Sequence, residues 1–468
     1  MLLTQGETGW SILPFVPPLS SISMPSHSLL RALARAFLAG EQSVEQVVVR
    51  SSQTLGNHWQ RLRPLARRYV KAFARRTRPR HRDVVQFLLQ DRGFLEISSR
   101  YFRELPVAHW LTEPQKMQPV EAASTWDIPA IESVGSLADW LRIPFGDLQW
   151  FADLKGLGYK TSSQQLRHYH YRILTKQSGS IRLIEAPKPR LKEIQRQILV
   201  QILDKVPPHP AAHGFLKGRS IKTYIAPHVG QRVLLRMDLR DFFPSFAAAR
   251  IQAFFRTLGY PEAVADLLGG ACTNAVPRDV WSRAAFGEDP LHLWERRGEA
   301  WASYSRPHLP QGAPTSPALA NLCTYRADCR LTGLARSMGA EYTRYADDLA
   351  FSGSEAFEAR VERFSTHVAA ILFEEGFAVN HRKTRIMRQG VRQHLAGLVA
   401  NQRMNVMRTD FDRLKAMLNN CVRLGPESQN REGHPHFRSH LEGRVGFVEM
   451  INPAKAERLR TKFEQIRW

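Results

Sequence analysis

The chain has 468 residues, with 66 basic against 43 acidic side chains, a formal net charge of +23 and a pI near 10.3, a balance that suits a phosphate-rich partner and binding that weakens with salt. No stretch approaches the roughly 18 consecutive apolar residues of a spanning helix, and the basic residues recur throughout instead of on one amphipathic segment, which argues against a membrane partner. Four cysteines, Cys272, Cys323, Cys329 and Cys421, form no C-x-x-C pair and no zinc-knuckle spacing, so a disulfide framework and a structural metal are not expected and a reducing, cytoplasmic setting is.

Residues 1–24 lack a basic n-region and are interrupted by Pro14, Pro17 and Pro18, so they do not read as a signal peptide. They are expected to be disordered, unless Met24 is the true start. From 25 to 125 the pattern is helical, beginning with an amphipathic run from Leu29 to Leu38 behind the capping region Ser26 to Ser28. Between Arg61 and Arg82 stand ten basic residues and no acid, with Trp59, Tyr69 and Phe73 nearby. This basic stretch reads either as an RNA-contacting face or as a solvated helix. Glu121 to Gly135 reads as a linker, and Leu137–Leu141 and Leu148–Ala152 as short helices.

Val233-Leu234-Leu235-Arg236-Met237-Asp238 has the pattern of a buried strand ending in an acid, and Leu239 to Ser245 then turns toward a helix. Leu309 to Pro317 is a Gly/Pro-punctuated loop that opens a helix carrying Ala318 to Leu322. About 110 residues after Asp238, the run Arg344 to Gly353 reads as a tight hairpin with Asp347 and Asp348 at its tip. Carboxylates on a rigid strand edge suit two divalent cations, because Mg²⁺ takes hard oxygen ligands and keeps substrate phosphates in its shell. Further on, Phe411, Leu414, Met417, Leu418, Cys421 and Val422 recur at helical spacing, and Leu441, Val445, Val448 and Met450 line a second helix as core stripes. The intervening Asn430, Arg431, His434, His436, Arg438 and His440 could ligate a metal, but hydrogen bonding to nucleic-acid phosphates is the favoured reading.

In order, these segments, with Tyr171–Ile173, Gly179–Pro187, Leu191–Arg196, Ala212–Ile221, Gly376–Thr384 and His394–Val399, resemble the bacterial retron-type reverse transcriptases over roughly residues 145 to 468. The resemblance implies an α+β right-hand polymerase with fingers and palm over 136–400, a helical thumb over 401–468 and a basic helical amino-terminal extension over 25–125. It implies an RNA-directed DNA polymerase that extends a primer with dNTPs on an RNA template. Asp238, Leu239, Asp347 and Asp348 would serve as the site of two Mg²⁺ ions, the three acids being catalytic, and Lys383 would protonate the leaving pyrophosphate. Arg182 would reach the triphosphate, Gln311 and Gly312 would contact nucleotide and template, and Phe243 would lie under the sugar, where a bulky apolar ring rejects a 2′-hydroxyl. Lys192, His228, Arg431 and Arg438 are the implied nucleic-acid contacts.

The same resemblance implies as partners a structured noncoding RNA template, the nascent DNA and an effector protein, in antiphage defence. Two segments depart from the family pattern. The family's Asn-Ala-x-x-His appears as Tyr224-Ile225-Ala226-Pro227-His228, keeping only His228, and its Val-Thr-Gly appears as Leu395-Ala396-Gly397. Both are implied to help recognise a cognate RNA, so a defence-associated reverse transcriptase with another template, or with template-independent synthesis, stays open, as does a non-catalytic RNA-binding scaffold. No ribonuclease H, endonuclease or maturase module is expected, and a group II intron enzyme is therefore disfavoured.

Overall fold

The computed structural model describes residues 24–56, 60–74, 79–101, 107–110, 115–161, 163–175, 181–281 and 301–468. The disorder expected of residues 1–24 falls outside these residues but for Met24, and Trp59 lies outside them too. Two compact units result, one from the chain up to Thr125 with Ala130–Phe145 and Ala253–Asp266, the other from Trp126–Pro129, Gly146–Gln252 and Leu267–Trp468. No helix among the described residues is long and apolar enough to cross a membrane.

In the first unit the amphipathic run becomes the helix His27–Leu38, whose amino end is capped by the Ser26 hydroxyl accepting from the Leu29 amide. Its apolar side meets Leu55, Leu65, Tyr69, Val84, Leu88 and Phe94 from later helices in one core. Part of the basic stretch folds as the helix Arg63–Phe73, because Leu65, Ala66 and Tyr69 recur on one face and can be buried together. On its other face Arg63 pairs with Glu45 at 2.8 Å and Arg68 forks onto Asp91 at 2.6 and 2.7 Å, while Arg67 and Lys71 are exposed.

The second unit is built around an antiparallel sheet. A separate hairpin, β1 (Tyr169–Thr175) with β2 (Ile181–Pro187), precedes it in the chain. The sheet's central strand is β3 (Val233–Arg240), flanked in the order β4 (Ala340–Tyr345), β5 (Asp348–Gly353), β3, β6 (Ala378–Val379), with β7 (Arg385–Arg388) also paired to β3. Register sets Val233 against Gly353 and Asp238 against Asp348, so two segments more than a hundred residues apart end side by side. Between β4 and β5 only Ala346 and Asp347 turn the chain, and Ala346 adopts φ +55°, the sense that primed hairpin turns require.

Beyond a small sheet of β8 (His394–Leu395), β9 (Leu398–Val399) and β10 (Asn405–Val406), three helices follow: Arg408–Leu424, Phe437–Ile451 and Pro453–Glu464. Leu414, Leu418, Cys421, Leu441, Val445, Val448, Leu459 and Phe463 close their shared core, and each large aliphatic side chain buried there contributes about 1.5 to 3 kcal/mol. Two stripe residues are corrected. Met450 is 41% and Val422 38% exposed, since each stands one position off the helical repeat, and Ile451 and Cys421 take the inward places. The last helix falls within the helical stretch expected over 401–468 but was not singled out there, because its apolar stripe is only Ala456, Leu459 and Phe463 among charged residues.

Candidate active site

Asp238 is buried near the end of β3, directly across from Asp348, and Asp347 occupies the tip of the adjoining turn. The Leu239 amide donates to the Asp347 carbonyl at 2.9 Å, which ties the tip to the central strand. Each outer acid already has a cationic neighbour. Lys383 donates to both oxygens of Asp238 at 2.9 and 3.0 Å, with Asn380 Nδ2 adding a bond at 3.1 Å. Arg236 gives three hydrogen bonds of 2.8 to 3.0 Å to both oxygens of Asp348.

Burial, and then repulsion from Asp238 and Asp348, raises the Asp347 carboxyl above its ordinary value. Burial raises Asp348 as well, against the pull of Arg236. Among the described residues no three His, Cys, Asp or Glu side chains are grouped as ligands of one ion, and Asp348 is engaged by Arg236. The donor set nonetheless fits a hard divalent cation, since two oxygen-bearing acids, Asp238 and Asp347, open on one cleft and crowd each other electrostatically.

That cleft has a volume of about 980 Å³ and is lined by Arg182, Phe215, Leu239, Phe243, Gln311, Tyr345, the three aspartates, Asn380 and Lys383. Phe242 and Phe243 both line it, the former almost wholly buried and the latter half-buried. Gly312 is not among the lining residues; it adopts φ +133°, and a Cβ there would lie 2.9 Å from the Glu185 carbonyl oxygen. Its neighbour Gln311 accepts from the Glu185 amide at 2.9 Å. The buried Glu185 carboxylate takes His308 Nε2 at 2.9 Å and Asn274 Nδ2 at 2.7 Å. Burial pulls His308 down, but the Glu185 charge, the hydrogen bond to it and the bond to the Arg306 carbonyl together outweigh burial and raise its pKa. Lys192, Arg431 and Arg438 are exposed and do not line the cleft; Arg438 rests over the Trp468 ring at 5.8 Å.

His228 is corrected: its side chain is 0% exposed and therefore cannot touch nucleic acid. Its two ring nitrogens bond to Ser352 Oγ at 2.6 Å and Thr343 Oγ1 at 2.7 Å, joining β4 and β5 through their side chains. Burial pushes this imidazole down to about 3 from an ordinary value of 6.5. An unfolded chain takes up that proton near pH 6.5 and the folded one does not, so the stabilisation is complete above pH 6.5 and is lost as pH falls toward 3. Denaturant midpoints between pH 7 and 4 should show His228→Gln losing less stability on acidification than the native chain, by up to about 1.4 kcal/mol per pH unit. Equal slopes would refute the assignment.

A second buried anchor is Arg344, which donates to Asp328 at 2.7 and 2.9 Å, to Asn321 Oδ1 at 3.1 Å and to the Ala346 carbonyl at 3.2 Å. Tyr342 completes it with a 2.8 Å bond to the same Asp328. Beside β4 runs the segment 211–214, held by His213 N to Arg344 O and Arg344 N to Ala211 O, both 2.7 Å. Sequence reasoning overlooked Arg236, Asn380 and Phe215. Strand alternation could have found Arg236, which stands two residues from Asp238 and hence on its face; Asn380 lies within a quoted motif, and Phe215 gave no signal beyond its motif.

Residues 174–407 match the family of reverse transcriptases, described as RNA-dependent DNA polymerases. A retron Mx65 reverse transcriptase of Myxococcus xanthus is 43% identical over 63% of this chain and 64% of its own length. The retron Mx162 reverse transcriptase of the same organism is 36% identical over 72% and 67%, and the retron Ec86 enzyme of Escherichia coli 29% identical over 64% and 82%. The match thus spans just under two thirds of the Mx65 enzyme. By the matched region and by these relatives, the chain belongs to the reverse transcriptase family and is of the retron type.

Proposed function

We propose that this chain is an RNA-directed DNA polymerase that adds dNTPs to a primer on a structured noncoding RNA of a retron, in antiphage defence. The observation that carries this reading is the cross-strand pairing of Asp238 with Asp348, with Asp347 between them, on a cleft whose wall includes Phe243. In this reading the sheet β3–β7 with its helices is the palm, the β1–β2 hairpin belongs to the fingers and the three carboxy-terminal helices form the thumb. Residues 25–125 would be an extension, 136–400 fingers and palm, and 401–468 thumb.

Asp238 and Asp347 hold two Mg²⁺ ions, with Asp348 and the Leu239 carbonyl alongside. Two divalent ions held there would supply the charge that activates a primer hydroxyl and neutralises a departing pyrophosphate. Arg182 binds the triphosphate, Gln311 aligns the nucleotide over the loop that Glu185 anchors, and Lys383 delivers a proton to the leaving group. Phe243 sits under the sugar and excludes the 2′-hydroxyl by its bulk.

Primer extension on an RNA template in Mg²⁺ tests this, with dNTPs expected to be strongly preferred over rNTPs. A native chain with no such preference would overturn the reading. Phe243→Val should relax the discrimination by about ten- to a hundredfold, chiefly through the KM for the ribonucleotide.

A further inference from the structure

The cleft wall contains an aromatic side chain that neither backbone preference nor burial accounts for. Phe215 adopts φ +62°, a region that bulky L-residues avoid, and its side chain is nevertheless 52% exposed. Its placement is enforced from both sides. The preceding Gly214 lies so close to the catalytic turn that a Cβ would come within 2.9 Å of the Ala346 amide nitrogen, and its carbonyl accepts from Asn321 Nδ2 at 2.8 Å. After it, Arg219 closes the loop back onto the carbonyl of Pro210.

The ring so held stands 6.4 Å from that of Phe243 and 6.2 Å from that of Tyr345. One neighbour lies where the sugar of the incoming nucleotide is read, the other next to the aspartates that meet the primer end. A strained residue presenting an aromatic ring to a cleft suits a flat, apolar-faced occupant. In a cleft of a chain with net charge +23, the molecule that combines such a face with phosphates is a nucleotide.

We propose that Phe215 is a stacking platform for the nucleobases at the growing end of the template–primer duplex, a positioning residue that sets the pair being formed against the catalytic aspartates. This rests on the polymerase reading above.

The test compares the native chain with Phe215→Gly, Phe215→Leu and Phe215→Tyr, on a primer annealed to an RNA template carrying 2-aminopurine opposite the incoming nucleotide. Glycine reaches positive φ freely, so Phe215→Gly should match or exceed the native melting temperature. It should nonetheless lose the fluorescence quenching seen on binding and raise the KM for dTTP roughly tenfold or more, with a smaller change in kcat. Phe215→Leu should behave likewise, and Phe215→Tyr should restore both readouts. Native quenching and native KM in Phe215→Gly would overturn the proposal, as would a tyrosine variant no better than glycine. A native chain that quenches fluorescence on binding yet adds no nucleotide would count against the polymerase reading and leave the platform standing.

Discussion

Asparagine in place of Asp347 or Asp238 should lower DNA synthesis by at least about a thousandfold, equivalent to about 4 kcal/mol of transition-state stabilisation. The amide preserves shape but removes the charge on which a hard divalent ion depends. At Asp347 the effect is sharpened by crowding, since burial and two neighbouring acids already oppose its ionisation and a bound cation would relieve them. Affinity for template–primer should stay within about threefold, because one charge among 66 basic and 43 acidic residues barely alters the field of the chain. Single-turnover extension and filter binding at one salt concentration separate the two. Extension at the native rate would refute the assignment of these acids.

Arg344→Met should destabilise the fold by about 3 to 5 kcal/mol, read from denaturant midpoints, by leaving Asp328 charged and uncompensated in the interior. Both side chains are 0% exposed, and the Asp328 carboxylate also accepts a hydrogen bond from the Tyr342 hydroxyl. The double variant Arg344→Met, Asp328→Leu should recover much of the loss, since removing both charges removes the burial penalty together with the attraction. Purely additive losses would show that the pair is not the source. Some loss of activity should accompany Arg344→Met, because the guanidinium also holds the Ala346 carbonyl within the turn that presents Asp347.

Much of the central sheet was legible in the sequence. The apolar run ending in Asp238 and the tight turn at Asp347-Asp348 became β3 and the β4–β5 hairpin, because alternation and turn chemistry are local properties. Pairwise relations across the sheet were not legible. That Arg236 grips Asp348 depends on the register of two strands 112 residues apart. His228 was misread because a histidine beside a family motif looks accessible, while its actual partners, Thr343 and Ser352, are hydroxyls whose positions only the folded sheet brings together. Arg344 was read only as part of the hairpin, since composition places arginine at the surface and nothing local marks Asp328 as its counter-ion. The first compact unit draws in Ala253–Asp266 from deep in the chain, a joining that no boundary drawn along the sequence can express.

The anchoring of Glu185 has a mechanical consequence. Strand β2 meets the loop at Gln311 and Gly312 through a main-chain bond, through contact too tight for any side chain on residue 312, and through a carboxylate shared with His308 and Asn274. Two stretches of chain separated by more than a hundred residues are thereby welded into one lever. On the polymerase reading proposed above, any swing of the β1–β2 hairpin toward an arriving triphosphate would carry Gln311 with it, so that grasping the phosphates and aligning the base would become a single stroke.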